Sequence, residues 1–106
     1  MLEDILVEEA KRREEVFRNL RSYLNRLKDA MKRLDSNGKL FLFGSTSRGE
    51  NTLASDIDIL ILTSLDPSFV IANLRKAGFD DPFEFHVVDN SRFELYKRFI
   101  KDLKEI

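Results

Sequence analysis

Two short segments of this chain hold the residues best able to do chemistry. Gly44-Ser45-Thr46-Ser47-Arg48-Gly49 follows the apolar run Leu40-Phe41-Leu42-Phe43, and Ser55-Asp56-Ile57-Asp58 opens a second apolar run, Ile59-Leu60-Ile61. Glycine and small hydroxyl residues at the end of a buried strand let several backbone amides point outward together. With a helical turn beyond it, such a bend favours an anion. In a strand successive side chains alternate, so Asp56 and Asp58 leave one face while Ile57 and Ile59 leave the other. Two neighbouring carboxylates repel, and without a cation one of them tends to take up a proton. A hard divalent metal turns both into oxygen ligands. Mg²⁺ held by one or two carboxylates completes its shell with water and phosphate oxygens, which puts a nucleoside triphosphate between the acid pair and the Gly44-Ser45 bend.

The order of these residues resembles the nucleotidyltransferase superfamily of DNA polymerase β type, and most closely its minimal nucleotidyltransferase (MNT) branch. That family reads Gly-Ser, a few residues, Arg-Gly, a variable spacer, then Ser-Asp-x-Asp. Here the same series is Gly44-Ser45, Arg48-Gly49 and Ser55-Asp56-Ile57-Asp58. A Gly-Ser pair alone means nothing and an Asp-x-Asp alone very little; the ordered combination between two apolar strands is specific. Thr46 stands where many members carry arginine, which leaves that basic phosphate contact either missing or supplied by Arg48.

The resemblance implies Asp56 and Asp58 as metal ligands, Gly44, Ser45 and Arg48 as nucleotide-binding residues, and a third acid on a neighbouring strand. Glu84 is the candidate for that acid, with Asp89 as the fallback. Glu84 and His86 alternate with Phe83, Phe85 and Val87, so both polar groups share a face. The role implied for Glu84 is to bind metal on the acceptor side and draw the proton from an attacking hydroxyl. The plainer readings are a solvated acid for Glu84, a packed imidazole for His86, a helix cap for Ser45 and an ion pair of Arg48 with Glu50 or Asp56.

Residues 1–35 contain no Pro or Gly, and Phe17, Leu20, Leu24, Leu27, Met31 and Leu34 recur at spacings of three and four. This pattern predicts one long amphipathic helix ending at Asp35-Ser36-Asn37-Gly38. Its C-terminal half reads as core. Ile5, Leu6 and Val7 at the other end project beyond what a small domain covers, so that portion is expected to pair with another chain. Residues 39–106 form the expected catalytic core. Glu50 to Ala54 read as a polar linker between the first strand and the second, which is buried on both faces and runs to Leu62. Asp66-Pro67 begins a helix that buries Phe69, Val70, Ile71 and Leu74 and stops at Gly78. A third strand spans Phe83 to Val88. A last helix, capped by Asn90 or Ser91, contains Phe93, Leu95, Tyr96, Phe99, Ile100 and Leu103. The expected fold is an α/β (α+β) domain with a small mixed sheet flanked by helices.

Composition sets outer limits. A chain of 106 residues makes one domain with a modest core. Charged residues make up 35% but balance to a net charge of −1, which argues against a surface dedicated to a long nucleic acid. With no cysteine, disulfide and thiolate chemistry are excluded. No stretch suits a membrane span and Met1-Leu2-Glu3-Asp4 lacks the basic start of a signal peptide, so the expected location is the cytoplasm.

By resemblance, the expected reaction is Mg²⁺-dependent transfer of a nucleoside monophosphate, with AMP from ATP favoured over other nucleotides. A two-metal site is implied, and among the acceptors the resemblance implies is a hydroxyl of a HEPN-type helical partner, as in MNT/HEPN toxin-antitoxin pairs. Other classes stay open: a catalytically silent nucleotide-binding or antitoxin module, or a structural subunit, such as a homo-oligomer, that assembles through the first helix.

Overall fold

The computed structural model describes residues 1–52 and 54–106; Leu53, within the expected polar linker, lies outside the described residues. Elements follow in the order α1 (Leu2–Arg18), α2 (Leu20–Leu34), β1 (Lys39–Phe43), β2 (Ile57–Leu62), α3 (Pro67–Lys76), β3 (Phe83–Val88), α4 (Asn90–Phe99) and β4 (Lys104–Glu105). The strands form one mixed sheet in the order β3-β2-β1-β4. β1 runs antiparallel to both of its neighbours, while β2 and β3 run parallel in register from Ile57 beside Phe83 to Leu62 beside Val88.

Alternation gives this sheet two unlike faces. Leu40, Leu42, Ile57, Ile59, Ile61, Phe83 and Phe85 point to the face covered by the first three helices, where Val16, Leu27, Met31, Val70 and Leu74 complete the core. The other face carries Phe41, Phe43, Asp58, Leu60 and His86. There α4 lays Phe93 against Phe41, with ring centres 5.0 Å apart, and Tyr96 lies 6.4 Å from the His86 ring. β2 is an inner strand, and Ile57, Ile59, Leu60 and Ile61 are fully buried. Two acids can sit at its entrance only because that entrance is the sheet's open end.

Four expectations need correction. The predicted single helix is interrupted at Asn19, whose side-chain amide and backbone N–H both donate to the Glu15 carbonyl. That side chain competes for a backbone acceptor and disturbs the helical ladder. Phe69, expected in the core, is 51% exposed, because Val70 and Leu74 take the inward face of α3. Asp66 does cap α3, accepting from the Phe69 N–H, with Pro67 at the first helical position. The last helix is capped by Asp89 rather than by Asn90 or Ser91, and it ends at Phe99. Ile100 and Leu103 therefore lie beyond it: Ile100 is already extended, and the chain returns to add β4 to the open edge of β1, where the Ile106 N–H donates to the Leu40 carbonyl at 2.9 Å. A strand edge presents unpaired backbone groups, and two residues of β4 satisfy some of those on β1.

Candidate active site

The bend after β1 is built on Gly44, whose φ of +80° lies in the left-handed region. A Cβ at this position would stand 2.6 Å from Asp58 Oδ2. Glycine is thus needed twice, for the backbone angle and for the room occupied by the Asp58 carboxylate. Beyond it residues 45–49 close one tight turn: the Arg48 N–H reaches the Ser45 carbonyl at 3.1 Å and the Glu50 N–H the same oxygen at 2.9 Å. Among the described residues no helix follows this turn, so it is a bend rather than a helix start.

Further hydrogen bonds fix the bend to both sides of the site. The buried Thr46 hydroxyl donates to the Asp56 carbonyl at 3.2 Å, which ties the turn to the segment leading into β2. The buried Ser47 hydroxyl donates to the Asp102 carbonyl at 2.7 Å, and Lys104 Nζ donates to the Ser47 carbonyl at 2.6 Å. Thr46 is thereby committed to holding the acid segment in place.

Asp56 lies one residue ahead of β2 with its side chain 59% exposed; Asp58 lies inside β2 at 29%. Asp58 Oδ1 is 3.4 Å from His86 Nε2, and the His86 ring stands edge-on to Phe43 with centres 5.2 Å apart. The structure therefore brings Gly44, Asp58 and His86 together. Glu84 is exposed on the edge strand β3, in register beside Asp58. Among the described residues no three His, Cys, Asp or Glu side chains gather into a closed cation site.

Arg48 does not face Asp56. Its Nη1 donates to Asp102 Oδ2 at 2.7 Å and its Nε to Glu50 Oε2 at 3.2 Å; these hydrogen bonds, the one to Asp102 foremost, raise its pKa further above the ordinary guanidinium value. Asp89, the fallback third acid, is engaged at the start of α4. The Arg92 N–H donates to its Oδ1 at 3.0 Å and the Ser91 hydroxyl at 2.9 Å, and these hold its carboxyl below the usual carboxylate range.

One residue at the site escaped the sequence reading. Arg13 of α1 donates through Nη1 to both Asp81 oxygens at 2.6 Å and through Nη2 to the Ser55 carbonyl, with Asp56 Oδ1 4.0 Å away. It thereby clamps the start of β2 to the loop before β3. The signal was present: Arg13 precedes Val16 and Phe17 by three and four residues, a charge lying on the apolar stripe.

A strand-turn-strand unit with a glycine bend packed on a strand-borne acid, in a mixed sheet backed by helices, defines the nucleotidyltransferase fold. The nucleotidyltransferase domain family matches residues 24–106, and the chain belongs to that family. It is similar to a crystal structure of a protein assigned as a nucleotidyltransferase, at 27% identity and a TM-score of 0.66, over 79% of this chain and 97% of that one. A Sulfolobus solfataricus protein with the same assignment shares the fold at 19% identity and a TM-score of 0.51, over 93% of this chain and 83% of that one. Cid1, solved with its short product ApU and with the UTP analogue UMPNPP, shares it at 22–23% identity and a TM-score of 0.55. In those two comparisons 81–85% of this chain covers 34–36% of Cid1. No curated protein sequence matches the chain significantly. Among the described residues no helix is long and apolar enough to cross a membrane.

Proposed function

We infer that this nucleotidyltransferase domain transfers a nucleoside monophosphate, AMP from ATP, to an acceptor hydroxyl, using the surface between Gly44 and Asp58. The observation that carries the reading is the contact itself: the Asp58 carboxylate lies 2.6 Å from where a Cβ of Gly44 would stand, so the acid and a bend of the kind that suits phosphate share one spot on the surface. The donor set fits a hard divalent cation. Asp56 and Asp58 are both solvent-accessible oxygen donors at the sheet's open end, and two carboxylates without a closed cluster are what Mg²⁺ takes when substrate phosphates complete its shell. Bound there, Mg²⁺ would supply charge to offset that developing on the phosphoryl oxygens and the leaving pyrophosphate.

The protein's own residues do the rest. Gly44 and Ser45 present the bend to the β- and γ-phosphates, while Thr46 and Arg13 hold the backbone of Ser55 and Asp56 in place. Glu84, beside Asp58 on β3, takes the proton of the acceptor hydroxyl as its oxygen attacks the α-phosphorus; the new O–P bond forms and the bond to pyrophosphate breaks. Arg48 lies on the same turn and reaches phosphate by exchanging a carboxylate partner for it. The nucleotide held by Cid1 in its complexes supports a nucleoside triphosphate as the donor. The acceptor is proposed to be a helical HEPN-type protein, in keeping with the resemblance to minimal nucleotidyltransferases.

The test is incubation with α-phosphate-labelled ATP, Mg²⁺ and that partner, for the native chain and for Asp56→Asn/Asp58→Asn. Label passes to the partner with pyrophosphate release in the first and falls at least about 100-fold in the second. Equal labelling by both chains would overturn the assignment of the acids.

A further inference from the structure

Among the described residues, most of the exposed large apolar side chains gather in two patches of opposite charge, and Val7 stands on another side of α1 from its neighbours. Phe69 also lies outside both. The first patch is the start of α1, where Leu2, Ile5 and Leu6 are 56–70% exposed. Residues 2–10 carry four acids, Glu3, Asp4, Glu8 and Glu9, and no lysine or arginine. Leu2, Ile5, Leu6 and Glu9 lie on the helical stripe that continues through Arg13, Val16 and Phe17, so this is the body-facing stripe carried past the end of the body. The second patch is the outer face of α4. Leu95 and Phe99, four residues apart, are 52% and 82% exposed, and Arg92 and Arg98 flank them on either side.

We propose that the acidic apolar start of α1 docks on the basic apolar face of α4 of a second copy of this chain, twice, about a two-fold axis. Each patch supplies what the other lacks: Leu2, Ile5 and Leu6 meet Leu95 and Phe99, and Glu8 and Glu9 meet Arg92 and Arg98. Closure by a two-fold axis uses both patches of both copies and leaves none uncovered. Two reciprocal contacts bury twice the area of a single one, which favours the closed pair over a one-sided contact. The same chemistry disfavours a long nucleic acid as occupant of both patches, because the α1 patch would repel it.

The experiment is sedimentation of the full chain and two variants whose changes lie wholly on exposed residues: Glu8→Lys/Glu9→Lys and Arg92→Glu/Arg98→Glu. The native chain sediments as a dimer at tens of micromolar and dissociates as salt rises. Each variant alone is monomeric with an unchanged circular dichroism spectrum. Mixed one to one, the two variants restore a dimer, because the basic α1 of one now meets the acidic α4 of the other. A monomeric native chain would overturn the proposal and leave the patches to another partner. It would equally be overturned by dimers that survive in either variant, by a mixture that stays monomeric, or by oligomers that keep growing with concentration. None of these readouts depends on nucleotide, so the outcome is separate from that of the proposed transfer reaction.

Discussion

Gly44 is where backbone and chemistry meet most closely. Alanine there must adopt a left-handed φ, at about 1–2 kcal/mol, and must also push Asp58 Oδ2 from a position 2.6 Å away. Gly49 is the natural control, since its φ is +72° but nothing lies within 4 Å of a Cβ. Gly44→Ala and Gly49→Ala should both lower the melting temperature, whereas only Gly44→Ala should also abolish metal-dependent nucleotide binding, measured by calorimetry. Asp89 and Glu84 separate in a similar way. Asp89 has its pKa depressed by hydrogen bonds at the start of α4. A depressed carboxyl adds stability above its unfolded pKa and loses it as pH falls through the folded value, so this contribution declines from about pH 4 downward. Asp89→Asn should flatten the acid limb of a thermal-stability profile and leave nucleotidyl transfer unchanged. Glu84→Gln should do the reverse, lowering transfer by about 10²–10⁴-fold with the stability profile intact.

At the level of elements, local rules account for what the sequence showed and for what it hid. β1, β2 and β3 were legible because alternation set Asp58 and Glu84 against uninterrupted apolar neighbours, and α3 because Asp66-Pro67 is a strong helix start. The interruption at Asn19 was not legible: the apolar spacing runs through it undisturbed, and the break shows only in the Asn19 backbone, at φ −113° and ψ 32°, where the side chain also bonds the Glu15 carbonyl. Asn19→Ala should remove that competition and raise stability by about 0.5 kcal/mol, read as a higher melting temperature and more helix by circular dichroism. β4 was hidden for a different reason. Two residues are too short to show a period, and they pair because β1 offers an edge. Arg13 belongs at this scale too, since it links α1 to the start of β2 and the loop before β3. Arg13→Ala should cost about 1 kcal/mol and raise the KM for nucleotide, with Arg13→Lys recovering the stability better than the KM because lysine cannot make the forked contact.

For the molecule as a whole, the sheet separates two tasks. One face is closed by α1, α2 and α3 around Ile57, Ile59 and Ile61, which fixes the strands, and the open end of β2 presents Asp56 and Asp58 beside the Gly44 bend. The candidate site was legible in the sequence only as consecutive segments, the Gly44-Ser45 bend and the Asp56-Ile57-Asp58 run. What joins the parts was not, because Thr46 on Asp56, Ser47 on Asp102 and Arg13 on Ser55 are contacts between residues 10 to 55 apart in the chain. The central claim is that this bend and these acids hold a single metal-bound triphosphate, and calorimetric titration with ATP tests it most directly. The native chain should bind ATP in the presence of Mg²⁺ and lose at least about tenfold in affinity when the metal is removed or when Asp58 is changed to Asn. Affinity that is the same with and without Mg²⁺, or the same in Asp58→Asn as in the native chain, would contradict it.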